Sequence, residues 1–189
     1  MQFDNENSGR LFGKLTAQNW LELNHTSDHI VRINSDHTTS KITEQEWTEK
    51  FLSIVLDPSV PREVHDLYEV AQGTMCYGCF FYPLYTAGST QLYRVLEAAL
   101  FHRREQMDLE KKKLTFFAMT DDLHQHGIIS DDHFPRWQAG RRLRNLYSHA
   151  KSQSLESPDM AANNLYVSAE LIDALFLEEG ESLPPGQNP

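Results

Sequence analysis

The stretch Gly88-Ser89-Thr90-Gln91-Leu92-Tyr93-Arg94-Val95-Leu96-Glu97-Ala98-Ala99-Leu100 decides the fold. Leu92, Val95, Leu96, Ala99 and Leu100 recur at i, i+3, i+4, i+7 and i+8, the spacing of a helix with one apolar face. Gly88-Ser89-Thr90 supplies a turn and an N-cap ahead of it, and the helix continues into the charged segment His102–Lys113. An apolar stripe of this kind must be buried against other elements, and the flanking sequence provides them.

Upstream, Thr43-Glu44-Gln45-Glu46 has the form of a capping box, in which a threonine and a glutamate three residues on satisfy each other's free amides. Trp47, Phe51, Ile54 and Val55 then keep helical spacing until Asp57-Pro58 ends the run. Pro61 opens a second helix with Val64, Leu67, Tyr68, Ala71 and Met75 on one face. An aromatic segment from Tyr77 to Tyr85, broken by Gly78 and Pro83, leads to the Leu92 stripe. Downstream, Leu114–His126 reads as a short helix stopped by Gly127. Ser130-Asp131-Asp132 caps the next helix, and Ser157-Pro158-Asp159 opens a last one with Leu165, Ile172, Leu175 and Phe176 inward.

Residues 1–40 carry many Asn, Asp, Ser, Thr and His, and only Trp20–Leu23 and Ile30–Ile33 look ordered. The second of these reads as a short strand with no evident partner, and no alternation of period two follows residue 40. The expected fold is all-α: a four- or five-helix bundle over residues 61–179. An irregular N-terminal extension, residues 1–60, would hold one helix near 43–56, and residues 180–189 would be a disordered Pro- and Gly-rich tail.

Composition narrows the function. With 189 residues, 40% of them hydrophobic, the chain can bury one good core. No signal-peptide pattern opens it and no apolar run nears the roughly 20 residues of a membrane span, so a soluble cytoplasmic protein without membrane attachment is expected. Two cysteines do not make a disulfide framework. The net charge of −10 argues against a general nucleic-acid coat, yet the charge is uneven: residues 152–189 hold seven acids and no base, while positive charge clusters at Arg103–Lys113 and Arg136–Lys151.

The second cluster is the most chemical part of the chain: Arg141-Arg142-Leu143-Arg144-Asn145-Leu146-Tyr147-Ser148-His149-Ala150-Lys151. On a helix, Gln138, Arg142, Asn145 and His149 share one row and Trp137, Arg141, Arg144 and Ser148 the row beside it. Ala139, Leu143, Leu146 and Ala150 would be the apolar seam. A histidine base, a fixed guanidinium and an orienting amide are the parts for cleaving RNA without a metal or any other cofactor. Arg144 and His149 lie about 140° apart on an ideal helix, so they converge only if the helix end opens or two copies build the site across a dimer axis.

Arg144-Asn145-Leu146-Tyr147-Ser148-His149 resembles the Arg-polar-x-x-x-His signature of HEPN domains (higher eukaryotes and prokaryotes nucleotide-binding). The approach Leu123-x-x-x-Gly127-Ile128-Ile129-Ser130 into a basic helix, and the earlier Leu92–Leu100 helix, are similar too; the likeness spans about residues 62–178. The resemblance implies a homodimeric all-α bundle, many of whose relatives are metal-independent endoribonucleases of toxin or antiviral-defence systems. It assigns the chemistry to Arg144 and His149 with Asn145 in support. Arg141, Arg142 and Lys151 would hold the RNA backbone, and a cognate antitoxin or other protein would be a partner. Some HEPN toxins carry a tyrosine two residues after the histidine; Lys151 stands there, so that form of control is not implied. The alternative is a HEPN-like helical scaffold without catalysis, with its acidic tail as a protein contact.

Other motifs carry less. Cys76-Tyr77-Gly78-Cys79 lacks the two further ligands a zinc site needs, and buried structural cysteines are expected there. His124-Gln125-His126 with the aspartates around it reads as a polar helix end rather than a metal site. Lys111–Lys113 reads as a solvated face, and Phe80, Phe81, Tyr82 and Tyr85 as core or interface packing.

Overall fold

The Thr43 hydroxyl accepts the Glu46 amide at 3.2 Å while the Glu46 carboxylate accepts the Thr43 amide at 2.8 Å, and this reciprocal cap starts the first helix. The structure, a computed structural model, describes residues 14–24, 31–109, 114–147 and 155–177, apart from the side chains of Arg32 and of residues 141–147. Helix α1 is Glu44–Leu52. It ends before Ile54 and Val55, which sequence periodicity placed on its apolar face, and Val55 is exposed. Gln72 makes the early end possible. Its amide donates to the carbonyls of Phe51 (2.8 Å) and Ile54 (2.7 Å), which the missing turn would otherwise leave without donors.

Helix α2 is Arg62–Cys76 and buries Val64, Tyr68, Ala71 and Met75, the face read from its periodicity. A 3₁₀ turn, Tyr77–Cys79, leads into α3, Leu84–Gln106. The expected turn and cap at Gly88-Ser89-Thr90 do not exist, because α3 starts after Pro83 and runs through them. Gly88 is there for packing: a Cβ on it would lie 2.4 Å from Met75 Cγ and 3.1 Å from the Ala71 carbonyl of α2. Thr90 turns its hydroxyl back to the Thr86 carbonyl at 2.8 Å, as threonine does inside helices.

Helix α4 is Phe116–Gln125, capped by the Thr115 side chain. Gly127, at φ +73°, takes the left-handed conformation that closes it, and the Gly127 and Ile128 amides return to the His124 and Leu123 carbonyls. Helix α5 is Phe134–Tyr147, and α6 is Pro158–Phe176, whose first amides are capped by Ser157. The α3 helix is the hub: α2, α4, α5 and α6 all pack on it, while α1 lies against α2 and α6. Tyr68, Met75, Leu92, Leu100, Leu123, Trp137, Leu165 and Ile172 fill the core between them. Phe51 of α1 is buried in the same core and stacks on Tyr85 at 5.9 Å.

The protein is thus mostly helical and all-α, with six helices among the described residues. One strand signal does find a partner. Strand β1, Val31–Ile33, pairs antiparallel with β2, Thr39–Lys41, with Ile33 opposite Thr39. The sequence hid β2 because Thr-Ser-Lys has no apolar alternation; the Asn34–Thr38 turn, with Asp36 accepting the Thr38 amide at 3.0 Å, sets the register instead. No helix among the described residues is long and apolar enough to cross a membrane. The tail at 180–189 lies outside the described residues.

Candidate nucleic-acid interface

Helix α5 is fixed at its start by side chains that the core requires. Ser130 accepts the amides that open the helix, with its carbonyl taking those of His133 and Phe134. Trp137, placed by sequence in a polar row, is buried and packs on Phe116 with ring centroids 6.1 Å apart. Gly140, one turn on, brings α5 close to α3, since a Cβ there would meet Leu96 at 3.7 Å. Ala139, expected in the apolar seam, is exposed. The inward face of this half of α5 therefore runs through Trp137 and Gly140 rather than Ala139, because an indole gains far more from burial than an alanine methyl.

Arg136 ties α5 to α6. Its guanidinium holds both oxygens of Glu170, at 2.9 and 2.6 Å. The hydrogen-bonded pair raises the Arg136 pKa above its ordinary value and lowers that of Glu170 below the usual carboxylate range. Beside the pair, a small cavity of about 120 Å³ opens between α3, α5 and α6.

Arg141, Arg142, Arg144 and Asn145 belong to the last turns of α5. By helical register Arg141 and Arg144 follow Trp137 at i+4 and i+7. Their side chains, and His149 and Lys151 altogether, lie outside the described residues. The structure therefore brings the arginines and Asn145 onto one helix end and leaves their approach to His149 undescribed.

Where the chain is described again it is anchored by a residue that sequence reading missed. Glu156 is 1% exposed and accepts the Ser89 hydroxyl of α3. Asn164 of α6 donates to Glu156 and to Ser89, both at 3.3 Å, and the Thr86 hydroxyl accepts the Glu156 amide at 3.1 Å. A buried carboxylate is tolerable only with such partners. The signal that could have found it was Ser89 itself, a polar residue one turn before the strongest apolar stripe and on the same helix face. The basic segment is thus flanked by two fixed points, Arg136–Glu170 before it and the Glu156 network after it.

The histidine patch is used for fold. His124 stacks on Phe134 at 4.0 Å and meets Asp131 at 2.9 Å, His126 meets the Asp122 carbonyl at 2.7 Å, and Asp122 pairs with Arg104 at 2.6 Å. Among the described residues no three His, Cys, Asp or Glu side chains gather as a metal site. Tyr82 and Tyr85 pack edge to face at 5.2 Å, and Tyr85 also meets Trp47 and Phe51, so the aromatic segment joins the core at this point. Lys111–Lys113 lie outside the described residues. No protein-family model matches the chain, and no curated protein or solved structure matches it either.

Proposed function

We propose that the protein is a metal-independent endoribonuclease of HEPN type, a defence or toxin-type effector that acts as a homodimer on single-stranded RNA. The observation that carries this reading is the hexapeptide Arg144–His149, begun on the last turns of α5, the penultimate helix, and followed by the long helix α6. In support, this helix end gathers three arginines in an otherwise acidic chain, and its two flanks are tied to the bundle.

In the proposed reaction His149 takes the proton of a ribose 2′-hydroxyl. The 2′-oxygen attacks phosphorus and the 5′-oxygen leaves with a proton, giving a 2′,3′-cyclic phosphate and a 5′-hydroxyl end. Arg144 stabilises the charge that builds on the phosphoryl oxygens and Asn145 orients the reacting groups. Arg141, Arg142 and Lys151 hold the backbone electrostatically. The second reading, a non-catalytic scaffold, draws on the exposed Trp20, Leu21, Leu23 and Tyr77, an apolar surface suited to a protein partner.

The test is cleavage of a mixed RNA pool by the purified dimer in EDTA, beside Arg144→Ala and His149→Ala. The nuclease reading expects activity that survives EDTA and falls by at least about 100-fold in each variant. A folded wild-type dimer that cuts nothing, or variants that cut as well as wild type, would favour the scaffold.

A further inference from the structure

Both cysteines of the chain lie where α2 passes into α3: Cys76 is the last residue of α2 and Cys79 the last of the 3₁₀ turn that follows. They are half-buried rather than enclosed, and with Leu21, Leu23, Trp47 and Phe80 they line an apolar pocket of about 630 Å³. The turn is held firmly beneath that pocket. Gly78 sits so close to Tyr85 that a Cβ would come within 2.3 Å of the ring. The Cys76 carbonyl accepts the Trp47 indole N–H at 3.3 Å and the Cys79 thiol at 3.4 Å. The Cys79 carbonyl accepts the Asn24 amide at 2.9 Å. Any change in the geometry of these two residues therefore reaches the N-terminal arm, α1 and the pocket together.

Residues three apart in a helical turn have Cα atoms about 5 Å apart, inside the range of a disulfide, and Cβ atoms about 5–6 Å apart. A disulfide needs Cβ atoms near about 4 Å, so the turn must tighten by about 1–2 Å. The Cys79 thiol then no longer donates to the Cys76 carbonyl. We propose that Cys76 and Cys79 form a reversible dithiol/disulfide couple at the floor of this pocket, with a low-molecular-weight disulfide as co-reactant, and that its state sets the pocket's shape. One cysteine thiolate attacks the small disulfide and releases a small thiol. The second cysteine attacks the mixed disulfide and releases the other small thiol, so two electrons and two protons pass from the protein to the co-reactant. Burial raises both thiols above their ordinary pKa, which keeps them mostly protonated near neutral pH and makes the exchange slow there and faster as the pH rises.

The test equilibrates the full chain in glutathione buffers of rising disulfide fraction, then acid-quenches, unfolds and alkylates it for mass measurement. Wild type is expected to lose both free thiols in one step and retain no glutathione, with a parallel change in tryptophan emission that is absent in Trp47→Phe. Cys76→Ser and Cys79→Ser are each expected to take up one glutathione and to show no emission step. Separate titration of the two thiols with glutathione retained on wild type, thiols that stay free throughout, or closure with unchanged emission would each overturn the proposal.

Discussion

Asp173 shows how one residue's surroundings set a measurable property. Burial raises its carboxyl pKa to about 6, although the Asp57 amide donates to it at 2.9 Å. The Asp57 carboxyl is held low by the Ser59 hydroxyl and amide, and His65 meets the Asp57 carbonyl at 3.2 Å. Because the folded pKa of Asp173 is raised, the folded state binds its proton more tightly. Its contribution to stability is full below the unfolded value of 3.8 and is lost as pH climbs through about 6. Asp173→Asn keeps an acceptor for the Asp57 amide and removes this loss. It should match wild type at pH 4 and exceed it by about 1 kcal/mol at pH 7, after discounting for partial exposure. Urea midpoints at the two pH values check this; an equal difference at both would show that burial of the charge is not the cause.

The helices differ in how strictly they need their glycines. In α3, Gly88 lies against Met75 and the Ala71 carbonyl of α2, and the backbone contact cannot rotate away. In α2, Gly73 has nothing within 4 Å of an added Cβ. Gly88→Ala should lower stability by about 1–3 kcal/mol through overpacking. Gly73→Ala should raise it by about 0.5–1 kcal/mol by restricting the unfolded chain. Thermal melts of the two variants should therefore move in opposite directions, and a common direction would refute this account of the α2–α3 crossing. Here the sequence misled in an informative way: Gly-Ser-Thr reads as a turn, but Gly88 is used for close approach and Ser89 for the buried bond to Glu156.

At the scale of the molecule, the proposed function requires a chain of net charge −10 to hold RNA by local rather than overall attraction. On the proposed function, binding of single-stranded RNA should weaken steeply with salt, because each neutralised phosphate releases counterions. Arg141→Ala, Arg142→Ala and Lys151→Ala should each reduce the slope of log K against log salt by about 0.7. Slopes that stay at the wild-type value in all three would remove these residues from the RNA path. The acidic C-terminal part, with seven acids and no base after residue 151, bears no phosphate-binding charge of its own.

Periodicity and capping determined much of this protein without any structure. The capping box at Thr43, the buried face of α2, the stop at Gly127 and the start at Ser157 all depend on residues within a turn or two of one another. The basic character of the α5 end was equally legible, because it is a local property. Tertiary structure alone decided the rest. Trp137 turned inward where Ala139 was expected, α1 stopped early because Gln72 took its last carbonyls, and β2 formed because a turn brought it to β1. Glu156 became an anchor through partners about 70 residues away on α3. Such choices are made by groups distant in sequence, and no local pattern records which of them will meet.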